Sequence, residues 1–153
     1  HHCEKPYILL TKRGNGLRSH RGEISFPGGR YAEGDGDLLG TALRETSEEV
    51  GIAFSPQDIL GSLRPVRTMT SNHFIVPFVT VQDMLPQVRA SAAEVEQVLD
   101  VPLIETLESM APDTEHYHLS RKACRFICDN NVVVWGATAR IMEQLHRILI
   151  RPS

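Results

Sequence analysis

Residues Gly28 to Ile52 read GGRYAEGDGDLLGTALRETSEEVGI, and the rest of the chain is read outward from this stretch. On a helix, Leu39, Ala42, Leu43, Thr46 and Val50 recur at steps of three and four and form one buried stripe. The turn Asp35-Gly36-Asp37 offers an aspartate N-cap, and Gly51 offers a stop. Glu45, Glu48 and Glu49 stand at i, i+3 and i+4, so their carboxylates project together beside the stripe.

That placement is unfavourable for a bare helix. Glu48 and Glu49 lie in its last turn, where the helix dipole disfavours anions by about 0.3–1 kcal/mol each. Glu45 and Glu49 add like-charge repulsion, and Arg44 is the one nearby cation on the helix. A hard divalent cation held by oxygens reverses the sign of each of these terms. Magnesium suits best, since it takes a few carboxylates, keeps waters and also binds phosphates; manganese is the expected substitute. Three glutamates alone read more readily as a solvated face, since such faces are common. The flanking Phe26-Pro27-Gly28-Gly29 shifts the balance, because it permits a tight bend whose backbone approaches a metal or phosphate closely.

Upstream, Tyr7 to Thr11 reads as a strand, followed by a Gly- and Arg-rich loop from Lys12 to Gly22 and a short extended piece from Ile24 to Phe26. Downstream, Ile59 to Arg67 and Phe74 to Val81 have β character. Val95 to Val101 alternates and stops at Pro102. Leu103 to Met110 reads as a short helix. Arg125 to Cys128 and Val132 to Trp135 form a hairpin around Asp129-Asn130-Asn131. Ala137, Ile141, Met142, Leu145, Ile148 and Leu149 carry helical spacing to the end, as core or, alternatively, as the face of a homodimer. Strands mixed with a few helices predict a single layered α/β domain over 1–153.

Composition narrows the function. The chain has 153 residues, 41% of them apolar and 23% charged, which is the range of ordinary globular domains. A formal charge of −3 supplies no global basic field for nucleic acid. No apolar run has the length of a membrane span. Three cysteines (Cys3, Cys124, Cys128) give no disulfide framework and point to a reducing, cytoplasmic compartment. The first apolar run begins almost at once, which suggests that residues precede His1. Cys124 and Cys128 share a strand face with Phe126 and are read as small buried groups rather than zinc ligands. His116 and His118 are read as sharing a strand face, structural or exposed. Trp135 is read as core, and His73 as a loop residue able to touch substrate.

Arg44-Glu45-Thr46-Ser47-Glu48-Glu49-Val50-Gly51-Ile52 resembles the second half of the Nudix box, G-x5-E-x7-R-E-U-x-E-E-x-G-U, with Thr46 at an aliphatic position. The first half departs. Counting back from Arg44, the box glycine falls on Arg30 and the first glutamate on Gly36, so the loop carries an insertion and Asp35 or Asp37 replaces that glutamate. Further upstream, Leu9-Leu10-Thr11-Lys12-Arg13-Gly14, Arg18, Gly22 and Phe26-Pro27-Gly28-Gly29 resemble the signature of the coenzyme A pyrophosphatase branch, with every interval kept and Gly14 alone departing. Thr41 to Glu45, Asn72 to Val79 and Trp135 to Ala139 are similar to branch members as well.

The resemblance implies a Nudix fold, an α/β/α sandwich with a mixed sheet, and hydrolysis of a nucleoside diphosphate linked to a moiety X. It implies magnesium on Glu45, Glu48 and Glu49 with the Gly29 carbonyl as a further ligand. It also implies Arg44 orienting Glu45, and a small nucleotide substrate met by Arg13, Arg18, Gly28 and Gly29. The general base is one of these glutamates or a distant acid, for which Glu94 and Glu96 are candidates beside their reading as a solvated strand edge. For coenzyme A the products are 4′-phosphopantetheine and adenosine 3′,5′-bisphosphate, and Arg13, Arg18, His20 and Arg21 crowd the loop that would meet the extra phosphate. The alternatives are ADP-ribose, a dinucleotide or a nucleoside triphosphate as substrate, or a non-catalytic nucleotide sensor.

Overall fold

A computed structural model of the chain describes residues 5–14, 22–69, 71–84, 87–116, 118, 120, 123–128 and 131–151. Arg18, His20 and Arg21, together with Cys3, Asp129 and Asn130, lie outside the described residues. The strands are β1 (Tyr7–Arg13), β2 (Ile24–Ser25), β3 (Ile59–Ser62), β4 (Val66–Arg67), β5 (Phe74–Ile75), β6 (Phe78–Thr80), β7 (Val95–Pro102), β8 (Ala111–Pro112), β9 (Cys124–Cys128) and β10 (Val132–Val134). The helices are α1 (Leu38–Val50), α2 (Leu103–Glu108) and α3 (Gly136–Leu149), with 3-10 turns at Glu33–Asp35 and Pro56–Asp58.

The chain divides into two compact units. One holds His1–Leu10, Pro65–Ile75 and Leu99–Ser153; the other holds Thr11–Arg64 and Val76–Val98. One three-stranded sheet has the order β2-β1-β7. The remaining ladders are β3 with β6, β4 with β5, and β8-β9-β10. The registers of β1 with β2, β3 with β6, β4 with β5, and β9 with both β8 and β10 are antiparallel.

In the first unit, β9 and β10 pair as the predicted hairpin, with Val134 opposite Phe126, and α2 and α3 pack on β9. Its core is built on Phe126, Val134, Leu107, Met142 and Ala139, all fully buried. Cys128 is buried and Cys124 half-buried beside Phe126, as period-two alternation requires. The C-terminal stripe holds only in its first half. Ile141 and Met142 are buried, whereas Ile148 is 57% and Leu149 47% exposed, in the last turn of the helix.

His116 and His118 do not sit on a strand. Instead Asp113, 3% exposed, accepts from the His116 backbone amide and lies 2.9 Å from its Nδ1, and the ring stacks on half-buried Trp135 at 3.8 Å. A buried carboxylate satisfied by local donors outweighs strand alternation here.

In both units the sequence interrupts its own strands. The β stretch from Ile59 is broken at Leu63-Arg64-Pro65, and that from Phe74 at Val76-Pro77, because proline lacks the N–H that a ladder needs. Helix α1 begins where Asp37 caps it, its carboxylate accepting from the Gly40 amide at 2.7 Å. It ends at Gly51, whose φ of 73° is left-handed and whose absent side chain leaves room for Arg89. The predicted stripe is only partly buried. Val50 is fully buried, but Leu39, Ala42, Leu43 and Thr46 are intermediate, and the other buried residues of the helix are Thr41 and Glu49. Thr41 goes inside because its hydroxyl is satisfied, donating to Asp35 at 2.8 Å.

Candidate active site

Two backbone devices assemble an acidic corner at the C-terminal end of α1. The Arg89 and Ser91 amides donate to the Val50 and Glu49 carbonyls, each at 2.8 Å, and so satisfy groups that a helix end leaves open. This docks the segment entering β7 against the helix. The Gly14 amide then donates to the Glu94 carbonyl at 2.9 Å, fixing that segment to the end of β1. As a result Glu45, Glu49 and Glu94 each present a carboxylate oxygen within 4.8 Å of the others.

Glu49 is the most constrained of the three. The residue is only 4% exposed, one oxygen accepts from the Gly28 amide at 3.2 Å, and the other lies 4.0 Å from Arg13 Nη1. Burial pushes its carboxyl up to about 7; the Gly28 bond and the Arg13 charge oppose this, while the charges of Glu45 and Glu94 reinforce it. Arg13 Nε is buried and has no hydrogen-bond partner among the described residues. A Cβ at Gly29 would overlap the Glu45 carboxylate and oblige it to move aside.

The other acids of α1 are arranged differently. Arg44 binds Asp35 through Nε at 2.6 Å and Nη2 at 3.1 Å, Glu45 through Nη1 at 2.8 Å, and Glu48 through Nη1 at 3.0 Å. The Arg44 bonds, joined by the Ala32 amide and the Thr41 hydroxyl, hold the Asp35 carboxyl well below the usual carboxylate range. Of the two aspartates offered by the inserted loop, Asp35 therefore takes the arginine and Asp37 takes the helix cap.

The structure thus brings Glu45, Glu49, Gly28, Gly29 and Arg13 together and places Arg44 against Glu45. Glu48, 53% exposed at its side chain, turns toward Arg44 and stands outside the trio. Glu94 was marked in the sequence only as one of two distant acids. Its place depends on contacts 45 residues away in sequence, and no local pattern announces it. Glu96 faces outward, where Lys12 binds it at 2.6 Å. A hard divalent cation fits this corner: the donors are all oxygen, they converge, and the charged form of buried Glu49 gains most from a cation beside it.

Residues 3–120 match the family pattern described as the NUDIX domain. The chain belongs to the Nudix family. A Nudix hydrolase of Photorhabdus laumondii, named uncharacterized Nudix hydrolase NudL, is 35% identical over 146 residues, which cover 92% of this chain and 76% of that protein. The protein of the same name from Yersinia pestis is 33% identical over 143 residues, covering 92% and 71%. Among solved structures, a MutT/nudix family protein from Enterococcus faecalis matches with a TM-score of 0.63 at 15% identity, covering 94% of this chain. That likeness shows the Nudix fold alone, and this chain spans 55% of the Enterococcus chain. The chain is accordingly a Nudix hydrolase in fold and family, with an acidic cluster at the end of its box helix.

Proposed function

We propose that this Nudix hydrolase cleaves a nucleoside diphosphate linked to another moiety with magnesium as its cofactor, and that coenzyme A or an acyl-coenzyme A is the substrate. The observation that carries the reading is the convergence of Glu45, Glu49 and Glu94 beside Arg13, the arginine of the Leu-Leu-Thr-Lys-Arg stretch. Glu45 and Glu49 would hold the cation, with the Gly29 carbonyl as a further ligand; Glu48 joins only by turning away from Arg44. A bound cation supplies neutralisation of the diphosphate charge.

The chain's own groups supply the rest. Arg44, held by Asp35, fixes the Glu45 carboxylate by a charge-assisted bond. Arg13 presents a guanidinium to a phosphate oxygen, and Arg18, by its place in the sequence signature, is assigned to the substrate's additional phosphate. Glu94 accepts the proton of the attacking water as its oxygen bonds to phosphorus and the bond from phosphorus to the bridging oxygen breaks. The products are 4′-phosphopantetheine, or its acyl form, and adenosine 3′,5′-bisphosphate. The cytoplasm is the compartment proposed, from the cysteine usage.

A substrate panel with product identification tests this. Coenzyme A and magnesium should release adenosine 3′,5′-bisphosphate faster than ADP-ribose, dinucleotides or nucleoside triphosphates are turned over. Turnover of ADP-ribose alone would refute the coenzyme A reading and leave the hydrolase reading standing. Failure of every substrate would favour a nucleotide-binding sensor.

A further inference from the structure

A second charged cluster, all of it in the first unit, has the opposite sign. Arg67 at the end of β4 and Arg140 on α3 line one open cavity of about 300 Å³ together with Thr68, Met69 and Asn72. Packing of α3 on β4 brings the two arginines together, and Arg140 Nη1 donates to the Arg67 carbonyl at 2.6 Å. Arg67 Nε donates to Asn72 Oδ1 at 2.6 Å. Among the described residues no carboxylate pairs with either guanidinium; Glu143, one turn along α3 from Arg140, takes Arg147 at 2.6 Å instead. Two like charges with fixed anchor points and no counter-charge repel each other, and an anion between them reverses that repulsion.

The described residues beside them are bonded to one another. Thr68 and His73 pair through backbone and hydroxyl bonds, the Thr68 hydroxyl lies 2.8 Å from that of Ser71, and Asn72 holds a left-handed φ of 54° that asparagine tolerates. A site formed in advance loses less freedom on binding. Arginine matches oxyanions by its forked donors, and each guanidinium here retains N–H groups beyond the single anchored one.

We propose that Arg67 and Arg140 form an anion-binding site for a phosphate group, separate in its residues from the carboxylate corner. The phosphate is either the free ion or a phosphomonoester on a nucleotide. The test is nuclear magnetic resonance of the arginine Nε–Hε groups during titration of the whole chain with inorganic phosphate, at constant ionic strength and without divalent cation. The Arg67 and Arg140 signals should shift and saturate, and chloride should not reproduce this. Adenosine 3′,5′-bisphosphate shifting the same signals at lower concentration identifies a nucleotide phosphate as the ligand; equal potency identifies the free ion. Arg67→Gln should weaken phosphate binding at least tenfold while leaving the melting temperature unchanged. Arg140→Lys keeps the charge without the fork and should weaken it by less.

Shifts that rise linearly with any salt, or a folded Arg67→Gln variant that binds phosphate as the parent does, would overturn the proposal. The readout is metal-free and residue by residue, so failure of hydrolysis at the acidic corner leaves it untouched.

Discussion

The two sides of helix α1 handle negative charge in opposite ways. Asp35 and Glu48 share Arg44, and Asp35 is held low in pKa by that arginine. Glu49 and Glu94 are gathered with Glu45, which Arg44 binds at 2.8 Å; Arg13 lies 4.0 Å from Glu49, and burial pushes Glu49 up to about 7. One set of acids is satisfied by the chain itself. Among the described residues, the other set brings three carboxylates together with only Arg44 and Arg13 beside them, and such converging oxygens favour binding a cation from outside. Counting acids therefore does not single out the corner; the pairing of each acid among the described residues does.

If this contrast holds, substitutions on the two sides should differ sharply. The largest effect is expected for Glu49→Gln. It keeps the shape and the bond from the Gly28 amide but removes the charge, so magnesium-dependent turnover should fall by about 10²-fold or more, a loss of the size seen when a catalytic group is removed. Steady-state rates at saturating magnesium check this, and a variant within a few-fold of the parent would break the comparison. Gly29→Ala should come next. The added methyl overlaps the Glu45 carboxylate and must displace it, which predicts a comparable or somewhat smaller loss of rate with little loss of helix content by circular dichroism.

On the compensated side the effects should be smaller. Asp35→Asn loosens Arg44, and through it Glu45, so the apparent affinity for magnesium should drop by about 10-fold, as for other groups that orient metal ligands. Glu48→Gln should cost only a few-fold, because that carboxylate is exposed and occupied with Arg44. Magnesium titrations of the two variants sharpen the contrast. A Glu48 loss as large as that of Glu49 would show that Glu48 swings from Arg44 into the cluster during turnover.

How much of this was legible in the sequence depends on range. Asp37, Gly51 and the prolines act on their immediate neighbours, so the ends of α1 and β7 and the interruptions near Pro65 and Pro77 follow from local chemistry. Glu45 and Glu49 were legible because i, i+4 spacing fixes their shared face. Glu48 shares that spacing, and its carboxylate binds Arg44 at 3.0 Å, a competition that spacing alone does not reveal. Glu94 enters only through the docking of Arg89 and Ser91 onto the helix end, a long-range event. Ile148 and Leu149 keep helical periodicity yet stay exposed, since periodicity orients a stripe without supplying something to cover it.

The smallest effect is also the one that reads the corner without turnover. The folded chain favours the protonated form of Glu49, up to about 7 against an ordinary value of 4.5. Stability from this group is therefore fully present below about 4.5 and is lost as pH rises through about 7. Asp35 has the opposite sense: its contribution is present above 3.8 and is lost as pH falls through its lowered value. In chelator, the melting temperature should then decline between mildly acidic and neutral pH. The Glu49 shift corresponds to a few kcal/mol, and about 2–4 °C per kcal/mol is expected for a chain of this size. Added magnesium should flatten the decline by neutralising the ionised carboxylate, and Glu49→Gln should remove it while keeping the acid-side fall set by Asp35. Were the neutral-side decline to persist in Glu49→Gln, its origin would lie in another group, and the uncompensated charge at this corner would lose its thermodynamic signature.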